Sequence, residues 1–132
     1  SEAEKFHGHL GPYLVLGLIA GETAIKKLRC KKYFGLDVKV WGADKKPKSC
    51  LVDGLQLSSG ATYGKGNITK FNGAKIKVEF RNRLNKNKIT LTFKDGLAQI
   101  LEVIKTHRDA QLFARKLYNT NYSKLFNLRQ VR

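Results

Sequence analysis

Cysteine is scarce in this chain, and acid is far scarcer than base. The only two cysteines, Cys30 and Cys50, are too few for the disulfide framework that holds small secreted domains together. A reducing compartment is the default expectation, although such a pair can bridge in some hyperthermophiles. Long apolar runs are missing as well. The longest, Tyr13 to Ala20 with Gly17 inside it, falls well short of the ~20 residues that a membrane-spanning helix needs. No secretory signature is present, so a soluble, cytoplasmic protein is expected. No internal repeat and no linker-like stretch divides the sequence, and residues 1–132 should form a single domain.

Acidic side chains number 10 against 26 Lys and Arg, a formal charge of +16. Such a field attracts phosphates, which makes nucleic acid the first partner class to consider. The cations are nevertheless spread along the chain and alternate with apolar residues, the pattern of solvated outer faces. At 42 % hydrophobic residues the composition is globular, not disordered.

What is present is concentrated between Cys50 and Asn67. Leu51, Val52, Leu55 and Leu57 give the first half apolar helical surface, with Cys50, Asp53 and Gly54 on one face. The second half carries Gly60, Gly64 and Gly66, which let the backbone approach a ligand or another backbone closely. A thiol and a carboxylate leading into such a loop suggest a small-molecule site; a buried helix followed by a tight turn is the plainer alternative. A nucleotide-binding P-loop is excluded, because Gly60 and Gly64 are too close and Gly66 stands where that motif needs Ser or Thr. A dinucleotide fingerprint is excluded for want of a third glycine in a strand–helix setting.

Along the chain, His7 and His9 point the same way if the segment is extended. Pro12 opens a helix expected to reach about Tyr33. Leu14, Leu18 and Ile25 form its stripe, and Val15, Leu16 and Ile19 make its first half apolar nearly all round. Gly17 and Gly21 leave a groove in it for another element. Lys26, Lys27, Arg29, Lys31 and Lys32 crowd its C-terminal end, and Gly35 ends it. Leu36 to Trp41 reads as a strand and Asn67 to Phe71 as a short one. Lys75 to Lys94 reads as an antiparallel hairpin with one wet face, turning near Asn85. Asp95 caps a helix through Ile104, another helix runs from Asp109 to Tyr118, and Lys124 to Leu128 closes the chain. The expected class is α+β, an antiparallel sheet covered by a long N-terminal helix and C-terminal helices.

Three motifs then combine. Phe-His-Gly-His-x-x-Pro at 6–12, Val-Asp-Gly-Leu-Gln at 52–56 and Gly-x-Thr-x-Gly-Lys-Gly-Asn at 60–67 resemble the core domain of the E-subunit family of formylmethanofuran dehydrogenase. The resemblance implies an α+β core, often homodimeric, found in archaeal and anaerobic bacterial proteins. Some members carry a C-terminal zinc ribbon, and some bind a metal at a His/Cys site. His7, His9 and Cys50 match that site. Gly11 and Ala61 stand where the family usually has cysteines, and no cysteine follows Cys50 to build a ribbon. A thiol-poor, altered site follows.

Two functional classes emerge. In one, His7, His9 and Cys50 are metal ligands or acid–base groups, zinc being the metal that three N/S ligands and an open position suit. Asp53 orients one of them, and Thr62, Lys65 and Asn67 help to hold an anionic small molecule. In the other, the protein is a non-catalytic accessory or polyanion-binding module. Each site residue also has a structural role open to it: hydrogen-bonding imidazoles, a small buried thiol, a helix-start carboxylate, an exposed turn lysine. Two geometric expectations follow. His7, His9 and Cys50 should converge at the start of the Pro12 helix, where its dipole would lower a thiol's pKa. Asp53 should draw its hydrogen-bond donors from the Gly60–Asn67 loop.

Overall fold

Alternation of apolar and charged residues builds most of a five-stranded sheet, described with the rest of residues 2–132 by a computed structural model. The strands β1 (Leu36–Trp41), β2 (Ile68–Phe71), β3 (Lys77–Asn82), β4 (Lys88–Phe93) and β5 (Phe126–Val131) lie in the order β2-β1-β3-β4-β5. Residues two apart share a face. Leu36, Val38, Val40, Val78, Phe80, Ile89 and Leu91 are therefore buried together on one side, while Lys39, Lys77 and Arg81 meet solvent on the other. The expected hairpin is β3–β4, with Val78 opposite Leu91 and Phe80 opposite Ile89.

The sheet is mostly antiparallel, with one departure: β1 and β2 are parallel. A parallel pair needs a crossover, and α3 (Cys50–Ser59) supplies it. The Cys50 segment is thus the helix of a βαβ unit. The end of the chain forms β5, pairing antiparallel with β4.

The remaining helices are α1 (Glu2–His7), α2 (Pro12–Leu28), α4 (Asp95–Val103) and α5 (His107–Tyr118), with a short 3-10 turn at Tyr122–Lys124. The long helix is therefore not the first element, because Gly8 at φ +105° breaks the chain between α1 and α2. Nor does it reach Tyr33. Arg29 takes a left-handed φ of 51°, and the Leu28 carbonyl accepts a hydrogen bond from Asn82 Nδ2 at 3.1 Å. Asp95 lies in the first turn of α4, with Lys94 at the cap. The apolar first half of α2 is central to the core as expected: Leu14, Val15 and Leu16 are fully buried. No helix among the described residues is long and apolar enough to cross a membrane.

Helices α2 and α3 meet at their backbones. A Cβ added at Gly17 would fall 2.8 Å from the Cα of Gly54, and one at Gly54 would fall 2.8 Å from the Cα of Gly17. Ser58 Oγ shares its proton between the carbonyls of Gly17 and Gly54, at 3.0 and 2.8 Å. A methyl group here meets main chain that cannot rotate away. Gly17→Ala should cost about 1–3 kcal/mol even though alanine is the better helix former by ~1 kcal/mol. Gly96→Ala, where nothing lies within 4 Å, should instead be neutral or stabilising by up to ~1 kcal/mol. Urea unfolding of the two variants beside the parent checks the contrast; equal effects would remove the close contact as the cause.

Candidate functional site

The close approach of α2 and α3 sets Asp53, one residue before Gly54, beside the entry to α2. His7 ends α1 and points its Nδ1 at Asp53 Oδ2, 2.6 Å away. After the Gly8 turn, the His9 ring lies 4.8 Å from that of His7, between centroids. His107 at the start of α5 brings its ring within 5.5 Å of His9. All three histidines of the chain thus meet in one place. They do so through a helix end and a turn, not through the extended segment expected for His7 and His9.

His107 escapes the sequence pattern, which places the start of α5 at Asp109. Thr106 is the cap instead: its Oγ1 accepts from Asp109 N at 3.1 Å, which puts His107 in the first turn. Its only sequence signal is that it is the third of three histidines.

The electrostatics of this cluster are specific. The His7 side chain is 10 % exposed and that of Asp53 36 %, so the pair is shielded yet reachable. A carboxylate on Nδ1 favours the tautomer with its proton there and leaves Nε2 as the free base. The pKa of His9 is lowered from the ordinary 6.5 by partial burial, and then by the like charges of His7 and His107. Cys50 lies on α3, one turn before Asp53. Burial first, and then the Asp53 carboxylate, pushes its thiol up, with Lys46 opposing. The lowered thiol pKa expected at a helix N-terminus is therefore not found, because burial and a neighbouring anion outweigh the dipole. Both cysteines are free.

Beside the cluster is a small cavity of about 230 Å³. Pro12, Tyr13, Pro47, Ile104 and His107 are among its walls. Burial, followed by Glu102, raises the Tyr13 hydroxyl.

The glycine loop belongs elsewhere. Asn67 is buried; its Oδ1 accepts from Thr62 N at 3.0 Å and its Nδ2 donates to the carbonyls of Tyr33 and Leu36. Thr62 Oγ1 accepts from Lys65 N and Nζ, at 3.2 and 3.3 Å. Asp53 takes its partner from His7 instead of from this loop, which corrects the expected coupling. The reason is length: Gly60 caps the far end of α3, about 10 Å along the axis at ~1.5 Å per residue. Asp53 and Cys50 thus stand at one end of the helix, and Thr62, Lys65 and Asn67 beyond the other. Among the described residues no group of three or more His, Cys, Asp or Glu side chains is arranged to hold a metal ion.

A mixed sheet with a βαβ crossover, backed by helices, defines a small α+β domain that carries an Asp–His pair among clustered imidazoles. The family model described as "FmdE, Molybdenum formylmethanofuran dehydrogenase operon" matches residues 6–128, and the chain belongs to that family. Among solved structures it is similar to a tungsten formylmethanofuran dehydrogenase FmdE-like protein from Syntrophus aciditrophicus. The TM-score is 0.65 at 16 % identity, over 98 % of this chain and 67 % of that one. At that identity the likeness speaks for the fold alone. No curated protein matches the sequence.

The electrostatics give a pH signature. A histidine whose folded pKa is depressed binds its proton more readily when unfolded. Its contribution to stability is fully present above about 6.5 and is lost as pH falls through the folded value. His9 should therefore titrate below 6.5 in ring-proton NMR, and His107→Ala should move the midpoint upward by removing one of the like charges. A His9 midpoint at or above the ordinary value would contradict the clustering.

Proposed function

We propose that this FmdE-family domain binds a small anionic molecule at the N-terminal end of α2, with His7 and Asp53 as its proton-transfer pair. The 2.6 Å contact between His7 Nδ1 and Asp53 Oδ2 carries the reading. It is the arrangement in which a carboxylate orients an imidazole and stabilises the imidazolium formed when Nε2 takes a proton. Three further observations support it. The neighbouring cavity has room for a small molecule. Gly11 caps α2 without a side-chain hydrogen bond, and the start of a helix favours an anion. The net charge of +16 draws anions to the surface. His9, held toward its neutral form, can accept a hydrogen bond from the ligand. Cys50, held as a thiol, contributes packing and no charge.

A zinc-type metal, carried by the family resemblance, would draw on His7 through Nε2, on His9 and on Cys50, and would polarise a ligand oxygen. The donor set does not fit that role as it stands: Cys50 favours its protonated form, and Gly11 and Ala61 supply no thiol. No step is routed through a metal.

Long-range proton–nitrogen NMR should find His7 with its proton on Nδ1 at neutral pH, and Asp53→Asn should abolish that preference. Titration with acetate, as a small carboxylate probe, should move the His9 and His107 rings first; movement confined to surface lysines would sink the proposal. Metal analysis completes the test. A Cβ at position 11 would lie 3.3 Å from His9 Nε2, and the backbone there is extended, with φ −118°. Gly11→Cys should therefore bind zinc measurably tighter than the parent in competition with a chromophoric chelator. Full zinc occupancy of the parent would instead favour the metal reading.

A further inference from the structure

A larger cavity, about 1150 Å³, lies at the opposite end of α2 from the histidines. Lys26, Lys27, Arg29, Lys32 and Arg132 line it, with Glu22 as the one acidic side chain among the lining residues. None of these five cations takes part in the ion pairs His7–Asp53, Arg83–Asp37 and Lys88–Glu79. A cleft lined by one sign of charge focuses the field and concentrates the opposite charge.

Exposed aromatic rings follow the groove-lining Lys32 directly in the chain. Ser58 lines the groove, and the carbonyl of the next residue, Ser59, accepts from Tyr33 N at 2.9 Å. That bond pins the Tyr33–Phe34 turn beside Lys32. Tyr33 is 56 % exposed, Phe34 65 %, and Tyr63 on the neighbouring glycine loop 88 %. Lys65 Nζ stands 5.7 and 5.6 Å from the ring centroids of Tyr33 and Phe34. Thr62, Lys65 and Asn67 thereby gain a role: their hydrogen bonds fix this loop and hold a cation between two open aromatic faces.

We infer that this groove and its aromatic rim bind single-stranded nucleic acid, the five cations tracking phosphates while Tyr33 and Phe34 stack bases. Such sites combine a basic groove with aromatic platforms and read little sequence. A duplex hides its base faces and would leave the rings without a partner. A second copy of the chain is a poor occupant, because it brings the same charge of +16 to the same groove.

The test is fluorescence anisotropy of a fluorescein-labelled oligouridine with the full chain over a range of salt. The logarithm of the binding constant should fall against log salt with a slope of about −3.5, at about −0.7 per phosphate neutralised. Lys26→Gln with Lys27→Gln should flatten the slope by about 1.4 and weaken binding, whereas Lys70→Gln with Lys75→Gln, equal in charge and outside the groove, should not. Phe34→Ala should weaken binding about five-fold at unchanged salt slope, the equivalent of ~1 kcal/mol for one stacked base. Phe34 is exposed enough that folding, checked by circular dichroism, should survive. Equal losses in the two lysine pairs would leave only the overall field and overturn the site. So would an indifferent Phe34→Ala, equal or tighter binding of a duplex of the same length, or groove variants that change the mass seen by light scattering, which would mean that a second copy covers the groove.

Discussion

The backbone contact between α2 and α3 is the constraint on which the arrangement rests. Gly17 and Gly54 remove the side chains that would hold two helices at the usual 8–10 Å, and Ser58 ties them with a shared proton. Asp53 precedes one of those glycines. Its carboxylate therefore arrives beside the entry of α2, where the Gly8 turn has already folded His7 and His9 together. A wider separation of the helices would take Asp53 away from His7 and leave two unrelated surface groups.

Electrostatics then divide the roles inside the cluster. Asp53 is anionic and close, so it orients one imidazole and discourages ionisation of Cys50 on its own helix. His9, between His7 and His107, is held from protonation by partial burial first and then by these two neighbours. The outcome is a corner in which a carboxylate and clustered imidazoles lie side by side.

The two ends of α2 carry opposite chemistry. Its N-terminal end holds imidazoles and a carboxylate beside a small cavity. Its C-terminal end holds four cations along a wide groove, followed in the chain by exposed aromatic rings. Helix α3 runs alongside and serves both ends, with Cys50 and Asp53 at its start and the Gly60 loop beyond its finish. A single helix pair thus separates a small recess beside the histidines from a wide basic groove within one small domain.

Much of this was legible in the residues themselves. Period-two alternation gave β3 and β4 because the hairpin has one wet and one dry face, and the apolar first half of α2 announced a core helix. Gly17 and Gly21 pointed to a close neighbour, and the motifs at 6–12, 52–56 and 60–67 named the family. Tertiary structure decided what local pattern does not encode. That β1 and β2 run parallel depends on a crossover, and nothing inside either strand specifies its direction. That His107 joins His9 depends on where α5 begins and on which side it packs. That Asp53 chooses His7 over the glycine loop depends on helix length, since one helix carries its two ends to different places. Local sequence fixes which side chains are on offer; distance and burial, which exist only once the chain is packed, determine which of them meet.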